Sequence, residues 1–331
     1  MKVLIAGGAG FLGSTVASAC LDAGITPVIL DNLSTGRIEF TQDRIFYPGD
    51  IADGPLLDKI FSDHPDIAAV VHMAAMIVVP DSVAHPLRYY RENVARTVDF
   101  VDHVIRNGCP RFLFSSSAAI YRPGDDLAVD ENSALDPQSP YARTKVMVEE
   151  LLADCTVAYD LKVLSLRYFN PIGADPLLRS GLQLPRPTHL LGKLLTAVDE
   201  DEEFRLTGVD WPTRDGSAIR DFIHVWDLAE AHVAALLRFD EVFPAGQSYQ
   251  VINLATGNGT TVKEFVAAFR AASDKPLRLR EAPPRPGDNT GCFSRSDRAR
   301  ELLGWQTRFS VLEGIKDSIR WAAIRRDRLG A

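Results

Sequence analysis

The feature that most constrains the fold of this chain is a glycine-rich segment after its first apolar run. Residues 2–6 are mostly apolar, and four of the seven residues from Gly7 to Gly13 are glycine. Apolar residues then recur at helical spacing between Val16 and Ala23. A strand, a turn with few side chains and a helix, in this order, let the backbone approach a pyrophosphate at the N-terminus of the helix. The segment therefore predicts a dinucleotide site.

An acidic residue at the expected distance supports this prediction. A second apolar run, residues 27–30, ends at Asp31, 18 residues after Gly13. An acid about 20 residues after such a turn binds the ribose hydroxyls of a dinucleotide. Asp31 favours NAD over NADP, because a carboxylate repels a 2′-phosphate. Arg37 nearby is the one feature that leaves NADP open.

Tyr141 and Lys145 form the second informative pattern. They are four residues apart, so on a helix both side chains leave the same face. A neighbouring ammonium favours the phenolate and lowers the pKa of the phenol. Such a pair suits proton exchange with an alcohol near neutral pH. Because this spacing also arises by chance, its interpretation depends on the rest of the chain.

Strand-like runs alternate with helical patterns as far as about residue 169. The predicted strands are 44–47, 68–72, 111–115 and 162–167, and the predicted helices lie near 55–63, 87–107 and 139–159. This alternation is typical of a doubly wound parallel sheet, a Rossmann-type α/β fold with helices on both faces. The residues after each strand would then meet at the edge of the sheet where ligands bind.

The pattern loosens beyond residue 169. The predicted elements there are a helix at about 188–200, a strand returning to the main sheet at 218–225, a helix at 226–239, a second returning strand at 250–254, a helix from Val262 and two closing helices. We predict a dinucleotide-binding domain from residues 1–169 with 215–255, and a smaller α/β substrate domain from residues 170–214 with 256–331.

Composition and charge restrict the partners of the chain. Its 331 residues, 46% hydrophobic and 24% charged, are typical of a globular enzyme. A net charge of −8 speaks against nucleic acid or an anionic membrane as main partner. The four cysteines lack metal-ligand spacing, so we predict reduced thiols and no metal site. No apolar stretch approaches the ~20 residues of a membrane span, and the first run is too short for a signal peptide, so we expect the cytoplasm.

Motifs along the whole chain follow one another in an informative order. They are Gly7 to Gly13, Asp31-Asn32, residues 114–121, Ser139 to Lys145, residues 166–171 and Arg220 to Val225. Together they resemble the motifs of the extended short-chain dehydrogenases/reductases, most of all those of the UDP-galactose (UDP-glucose) 4-epimerases. The resemblance implies an NAD-binding Rossmann domain, a nucleotide-sugar-binding domain, a UDP-sugar substrate and a homodimer formed through the helices near 87–107 and 139–159.

The resemblance also implies roles for individual residues. The catalytic group would be Ser117, Tyr141 and Lys145. The implied NAD contacts are Gly7, Gly10, Phe11, Leu12, Gly13, Asp31, Asn32, Ser34, Asp50, Ile51, Met73, Ala74, Ala75, Asn93, Ser115, Tyr141, Lys145 and Tyr168. The implied substrate contacts are Ser117, Tyr141, Asn170, Thr188, Leu190, Arg220, Arg285, Asp288 and Cys292.

The reaction implied is inversion at C4 of the sugar through a transient 4-keto sugar. The related dehydratases carry an Asp-Glu pair just after the position of Ser117, and decarboxylases keep the glutamate. Ala118 and Ala119 stand there in this chain, and methyl groups transfer no protons. A non-catalytic NAD-binding regulator is the remote alternative, but all three catalytic positions are present.

The identity of the sugar stays open at this stage. Cys292 stands where glucose-specific members have a bulky tyrosine, which leaves room for an N-acetyl group at C2. Arg122, Arg179 and Arg186 are cations that would suit the C6 carboxylate of a glucuronate. UDP-glucose/UDP-galactose is therefore the first expectation, with UDP-N-acetylglucosamine and UDP-glucuronate as alternatives.

Overall fold

A computed structural model describes residues 1–284, 289–295 and 297–330. The strands are β1 Lys2–Ala6, β2 Thr26–Asp31, β3 Ile45–Pro48, β4 Ile67–His72, β5 Arg111–Ser117, β6 Ala128–Val129, β7 Lys162–Tyr168, β8 Asn170–Ile172, β9 Glu203–Thr207, β10 Ile219–Arg220, β11 Phe222–His224, β12 Tyr249–Leu254, β13 Thr260–Thr261, β14 Arg278–Ala282 and β15 Phe293–Ser294.

The helices alternate with the strands through most of the chain. They are α1 Phe11–Asp22, α2 Gly54–Asp63, α3 Val79–Ala84, α4 Pro86–Tyr90, α5 Arg96–Arg106, α6 Pro140–Ala158, α7 Leu190–Asp199, α8 Val225–Leu237, α9 Val262–Ala272, α10 Asp297–Leu303 and α11 Val311–Leu329. Short 3₁₀ turns occupy Ile38–Thr41, Ala118–Ile120 and Phe239–Glu241. Within the described ranges, none of these helices combines the length and apolarity needed to cross a bilayer.

Seven strands form the main sheet in the order β12-β7-β5-β4-β1-β2-β3, and every pair in it is parallel. Apolar side chains cover both faces: α1, α8 and α10 pack on one, and α2, α5 and α6 on the other. The predicted doubly wound sheet is confirmed. The winding reverses between β1 and β4, and ligands bind at such a point.

The predicted return of residues 218–225 to the main sheet is wrong, whereas the return of residues 250–254 is confirmed as β12. β10 pairs with β13, and β11 pairs with β8, each in a two-stranded sheet. The edge position beside β7 is taken by β12. A short apolar run shows that a segment is extended, but its partner depends on which longer strand reaches that edge.

The helix predicted at 87–107 is interrupted. α4 and α5 are joined by a π-helical segment, Arg91–Ala95, and α3 precedes them. A π-bulge adds a residue to the helix and turns one side chain out of the regular pattern, and such bulges are frequent at functional sites. The buried residue of this segment is Asn93.

A second apolar core lies outside the main sheet. It is formed by α7, α9 and the first half of α11, together with β8, β9, β11 and β14. The second half of α11 contributes Trp321 and Leu329 to a smaller cluster that includes Phe40. α11 therefore connects the second core to the loop that follows β2.

Candidate active site

The glycine turn between β1 and α1 uses its glycines in two ways. Gly7 has φ +84°, and a Cβ there would lie 2.6 Å from the Ala74 amide nitrogen. A Cβ on Gly13 would collide with the Gly7 carbonyl oxygen. Gly10 differs, because its φ of −80° and ψ of 177° suit any residue, and a Cβ there would make only an ordinary contact of 3.5 Å. Gly7 and Gly13 are required by the turn itself, whereas Gly10 leaves space open.

The N-terminus of α1 fits an anionic group. No described side chain caps this helix, so the first amide groups keep their hydrogen-bonding capacity. The helix dipole adds a partial positive charge at the same place. Phe11 and Leu12 occupy its first two positions. Open space at Gly10 and unused amides beside it are the arrangement that a pyrophosphate requires.

Asp31 ends β2 beside this turn. Its side chain is buried, and it accepts hydrogen bonds from the amide of Ala9 at 3.0 Å and the amide of Leu33 at 2.8 Å. Burial raises the pKa of its carboxyl group, and the two amides oppose the rise. Each carboxylate oxygen keeps a lone pair, so the carboxylate retains acceptor capacity for ribose hydroxyls.

The segments after β2 and β3 meet next to Asp31. The Asn32 amide donates to the Asp50 carboxylate at 3.0 Å and accepts from the Ser34 amide nitrogen at 3.0 Å. Asp50 also pairs with Arg96 at 2.5 Å. Ile51 differs, since its side chain is buried in the apolar core. The structure thus brings Asn32, Ser34 and Asp50 together at the rim of the site.

Asn93 is the buried residue of the π-helical segment. Its amide oxygen accepts from the Met76 amide at 2.8 Å, and its amide nitrogen donates to the Met76 carbonyl at 2.9 Å and to Thr144 Oγ1 at 3.1 Å. These bonds join the loop after β4, which contains Met73, Ala74 and Ala75, to α6. We propose that Asn93 positions this loop and α6.

Ser117, Tyr141 and Lys145 come together at the ends of β5 and α6. Ser139 caps α6 by accepting from the Ala142 amide at 3.1 Å, so Tyr141 and Lys145 lie in its first two turns. Ser117 lies near the Tyr141 phenol, and its hydroxyl oxygen accepts a hydrogen bond from the Ala119 amide at 3.2 Å. The Lys145 ammonium lies 5.9 Å from the centre of the Tyr141 ring.

The Lys145 ammonium is buried and donates to the Ser115 carbonyl at 2.7 Å. Burial lowers the pKa of Lys145 to about 8, and the charge of Glu149 opposes the fall. Burial also raises the pKa of Tyr141, and the nearby Ser117 opposes the rise. The expected lowering of the phenol pKa by Lys145 is therefore not what the protein alone produces, because burial of the phenol raises its pKa.

A buried ion pair lies one turn beyond Lys145 and was not predicted from the sequence. Glu149 accepts from Arg167 through both carboxylate oxygens and from Ser116 Oγ at 2.5 Å. The neighbouring Ser115 has a different partner: its Oγ contacts the Tyr168 hydroxyl. Glu149 lies four residues after Lys145, so the helical repeat that relates Tyr141 to Lys145 is the signal that places it beside the catalytic group.

The region that contains several of the predicted substrate contacts is assembled around Asp221. This buried carboxylate accepts from the Thr256 amide at 2.9 Å, the Thr256 hydroxyl at 2.7 Å, the Gly257 amide at 3.2 Å and the Ser294 amide at 3.4 Å. Burial raises its pKa to about 6, and these donors oppose the rise. Asp221 was not predicted either, although it adjoins Arg220 in the motif.

Only some of the predicted substrate contacts lie close to this carboxylate. The Arg220 guanidinium donates to the carbonyls of Ile219 at 2.7 Å and Thr290 at 3.1 Å. The backbone amide of Asn170 donates to the backbone carbonyl of Asp221 at 3.0 Å. Thr188 is exposed, Leu190 begins α7, and Arg285 and Asp288 lie outside the described residues.

Cys292 is partly buried and packs on an apolar cluster that contains Ala118 and Ala142. Those two alanines are the chain neighbours of Ser117 and Tyr141. The cysteine therefore packs on a cluster that also includes the neighbours of two predicted catalytic residues. Burial raises its thiol pKa to about 11, with Arg220 opposing the rise, so the side chain is neutral near pH 7.

Comparisons with known proteins agree with this geometry. The model of the NAD dependent epimerase/dehydratase family matches residues 3–255. The UDP-glucose 4-epimerase of Azospirillum brasilense is 39% identical over 323 residues, which are 97% of this chain and 91% of that protein.

Two crystal structures are similar over nearly the whole chain. A UDP-glucose 4-epimerase from Stenotrophomonas maltophila, with bound NAD and formylated UDP-arabinopyranose, has a TM-score of 0.92, 32% identity and 99% coverage of both chains. A UDP-glucose 4-epimerase from Brucella ovis, in complex with NAD, has a TM-score of 0.90 and 36% identity, over 97% of this chain and 98% of that one.

The chain belongs to the NAD dependent epimerase/dehydratase family. The predicted resemblance to the extended short-chain dehydrogenases/reductases is thereby confirmed. The name of the family covers two kinds of reaction, and the residues after Ser117 distinguish them. Ala118 and Ala119 form the first two positions of a 3₁₀ turn, where a dehydratase of this family would carry its second acid and base.

Proposed function

We propose that the chain is an NAD-dependent 4-epimerase of a UDP-hexose, in the first place of UDP-glucose and UDP-galactose. The observation that carries this proposal is the position of the Tyr141 phenol near Ser117, with the buried Lys145 ammonium 5.9 Å from its ring centre and an alanine pair after Ser117. This group exchanges one proton with an alcohol and contains no second acid and base for eliminating water. The similarity to UDP-glucose 4-epimerases supports the same reaction.

The residues of the glycine turn would hold the cofactor. The open space at Gly10 and the uncapped N-terminus of α1 receive the pyrophosphate, and Asp31 accepts the hydrogen bonds of the adenosine ribose. Because Asp31 stands at this position, its charge excludes a 2′-phosphate. NAD, when bound, supplies a hydride acceptor and a positive charge. Such a cofactor is regenerated in each turnover and has no need to leave.

Tyr141 acts as the base and acid of the reaction. Its phenolic oxygen accepts the proton of the sugar 4-hydroxyl while C4 is oxidised, and Ser117 hydrogen-bonds the same sugar oxygen. The charge of Lys145 together with that of bound NAD would favour the phenolate, and the lowered pKa of Lys145 makes its own proton exchangeable near neutral pH. The 4-keto sugar then turns about its pyrophosphate link, and Tyr141 returns the proton when C4 is reduced on its other face.

The nucleotide must be bound more firmly than the sugar, because the 4-keto sugar has to rotate within the site. We propose that Asn170, Leu190 and Arg220 hold the UDP, with Thr188, Arg285 and Asp288 as further contacts. The division into an NAD-binding domain, 1–169 with 215–255, and a nucleotide-sugar domain, 170–214 with 256–331, remains part of this proposal.

UDP-N-acetylhexosamine is the second candidate substrate. Cys292 packs on the cluster that contains Ala118, and it is smaller than the tyrosine that glucose-specific relatives would carry there. Glucuronate gains no such support, because each arginine considered for its carboxylate already pairs with an acid of this chain. Arg122 pairs with Asp136, Arg186 with Glu200, and Arg179 with Asp22 and Asp175.

Proton NMR tests the proposal directly. Purified protein is incubated separately with UDP-galactose, UDP-N-acetylgalactosamine and UDP-glucuronate, without added NAD. Inversion at C4 of any of them establishes a 4-epimerase that retains its cofactor, and the fastest identifies the substrate class. If no sugar is inverted even after NAD is added, the proposed function is wrong.

We also propose a cytoplasmic homodimer. Its four cysteines are free, as expected in a reducing compartment. Val98 on α5 and Met147 on α6 are exposed by 44% and 43%, so these two helices present apolar side chains that a second copy would cover. Light scattering should show a dimer that Met147→Glu dissociates, whereas Leu237→Glu, at the exposed end of α8, should leave it intact. A wild-type monomer contradicts the proposal.

A further inference from the structure

Asp31 is enclosed by its own loop. Residues 31–37, here called the adenosine loop, fold back so that a Cβ on Gly36 would lie 2.7 Å from Asp31 Oδ1. The Arg37 amide donates to the Ala9 carbonyl at 2.9 Å, which closes the loop on the glycine turn. Any group that binds Asp31 therefore lies against this loop.

A segment distant in sequence is fastened to the adenosine loop. Residues 180–185, here called the strap, belong to the proline-rich passage before α7. Gln183 of the strap is buried, and its Nε2 donates to the Thr35 carbonyl at 2.9 Å. Its Oε1 is also buried and has no protein partner in the described part of the chain. That oxygen is available to a donor from outside the protein, such as a hydroxyl group or a water molecule.

Two helices hold the strap from behind. Ser180 Oγ lies 3.1 Å from Thr15 Oγ1 in α1, and both side chains are buried. On α11, Trp321 Nε1 donates to the Leu182 carbonyl at 2.9 Å, and Arg325 donates to the Leu184 carbonyl at 2.8 Å. The strap is therefore anchored at its beginning, middle and end.

The anchoring helix also packs on the 3₁₀ turn Ile38–Thr41, which directly follows the adenosine loop. The rings of Trp321 and Phe40 lie 5.9 Å apart, and both are buried in the same small cluster. A Cβ on Gly181 would lie 2.6 Å from the Trp321 ring, so the strap passes closely over the indole. The contact between the strap and the loop is thus backed by a packed surface, and the Gln183 bond is held in place.

We propose that Gln183 is a positioning residue for the cofactor: it fastens the strap to the adenosine loop and thereby slows the release of NAD. The inference rests on the proposed function and extends it, since an epimerase that regenerates NAD in place benefits from slow release. The loop must open for the adenosine end to leave, and opening it breaks the Gln183 bond to Thr35. The C-terminal helix α11 thus takes part in retaining the cofactor through Arg325 and the strap.

Cofactor exchange tests this inference. The purified holoenzyme is incubated with an excess of isotopically labelled NAD. Desalting then removes the free NAD, acid releases the bound NAD, and mass spectrometry measures its labelled fraction. We expect Gln183→Leu to exchange at least tenfold faster than wild type, because leucine keeps the bulk and lacks the donor. Gln247→Leu, the same change in the exposed turn before β12, should exchange at the wild-type rate.

A second pair of variants acts from the other side of the strap. Arg325→Met removes the bond to Leu184 without touching Gln183, and Arg326→Met alters the exposed neighbour as its control. Exchange more than threefold above wild type in Gln183→Leu supports the inference. If that variant does not fold with NAD present, the same threshold applies to Arg325→Met, and any smaller increase overturns the inference.

Different results would overturn the proposed function and the role of Gln183. Wild-type protein that contains no NAD and inverts no sugar overturns the proposed function. Wild-type protein that holds NAD and inverts C4, with variants that exchange at its own rate, overturns only the role of Gln183.

Discussion

The cofactor side and the substrate side of this site are built in different ways. On the proposed cofactor side, the contacts join residues of one short part of the chain and use many backbone groups, as when the Asp31 carboxylate accepts from the backbone amides of Ala9 and Leu33. On the substrate side, one buried carboxylate, Asp221, joins segments that are far apart in the sequence, among them Thr256 and Ser294.

The difference predicts two kinds of failure. A backbone cradle depends on local space, so a single added methyl group changes what it can hold. An assembled pocket depends on one buried hydrogen-bonding centre, so a change there moves several segments at once. Damage to the first should alter cofactor content, and damage to the second should alter stability and use of the sugar.

The largest effect is expected where the two sides meet. Tyr141→Phe removes the group that carries the proton and leaves both binding regions intact, so kcat should fall about 10³-fold, within the range of general acid–base catalysis. Bound NAD should remain at the wild-type level. Steady-state kinetics measure kcat, and the absorbance of the purified protein measures the bound NAD. Tyr159→Phe, at a half-exposed tyrosine, is the control; near wild-type activity in Tyr141→Phe contradicts the proposed base.

The substrate side should show a pH dependence centred on Asp221. Its pKa of about 6 lies above the ordinary carboxyl value, so the folded protein keeps a proton that the unfolded chain loses. The contribution of the protonated group is complete at about pH 4 and is lost as pH rises through 6. The free energy of unfolding of wild type minus that of Asp221→Asn should therefore fall by about 2 kcal/mol between pH 4 and 7.

Urea unfolding of both proteins at several pH values gives this difference. NAD content should be the same in both, because Asp221 lies on the substrate side. A difference in unfolding free energy that stays constant with pH contradicts the buried titration.

The cofactor side should separate two neighbouring glycines. Gly10→Ala should weaken NAD binding about tenfold or more and change stability by less than about 1 kcal/mol, because its backbone suits alanine. Gly13→Ala should destabilise the protein itself, since its Cβ meets the Gly7 carbonyl. Thermal unfolding and NAD titration distinguish the two. Equal NAD affinity in wild type and Gly10→Ala argues against a ligand in that space.

The smallest effect is expected at the sugar. Cys292→Tyr adds a bulky ring at the cluster that contains Ala118. It should lower kcat/KM for UDP-N-acetylgalactosamine about tenfold, because one unfavourable contact costs about 1–3 kcal/mol. The value of kcat/KM for UDP-galactose should stay within about threefold of wild type. Cys155→Tyr, on α6 and apart from the cluster of Cys292, is the control. Unchanged selectivity means that the cysteine does not limit the size of the sugar.

Much of the cofactor side was predictable because its signals are local. The glycine spacing and Asp31 lie within one βαβ unit, and the alternation of elements implies the sheet. Asn93 was expected as a ligand contact, yet its amide is occupied by Met76 and Thr144, owing to a π-bulge that periodicity does not show. The local sequence pattern indicates where such a residue lies in the fold, but it does not predict which groups the residue bonds.

The substrate side was less predictable because its contacts are long-range. Residues 218–225 read as a strand of the main sheet, but β12 occupies the place beside β7 and leaves β10 and β11 to other partners. Asp221 gave no signal of its own, since an acid in a motif looks the same whether it is buried or exposed.

The sequence by itself determined the order of elements, the glycine turn and the helical spacing of Tyr141 and Lys145, because each depends on residues that are neighbours along the chain. Only the tertiary structure decided how those groups ionise and what holds them. Burial raises the pKa of Tyr141 and lowers that of Lys145 to about 8. Burial and partners such as Ser115 for Lys145, or Thr35 for Gln183, depend on atoms that meet only when distant segments pack together.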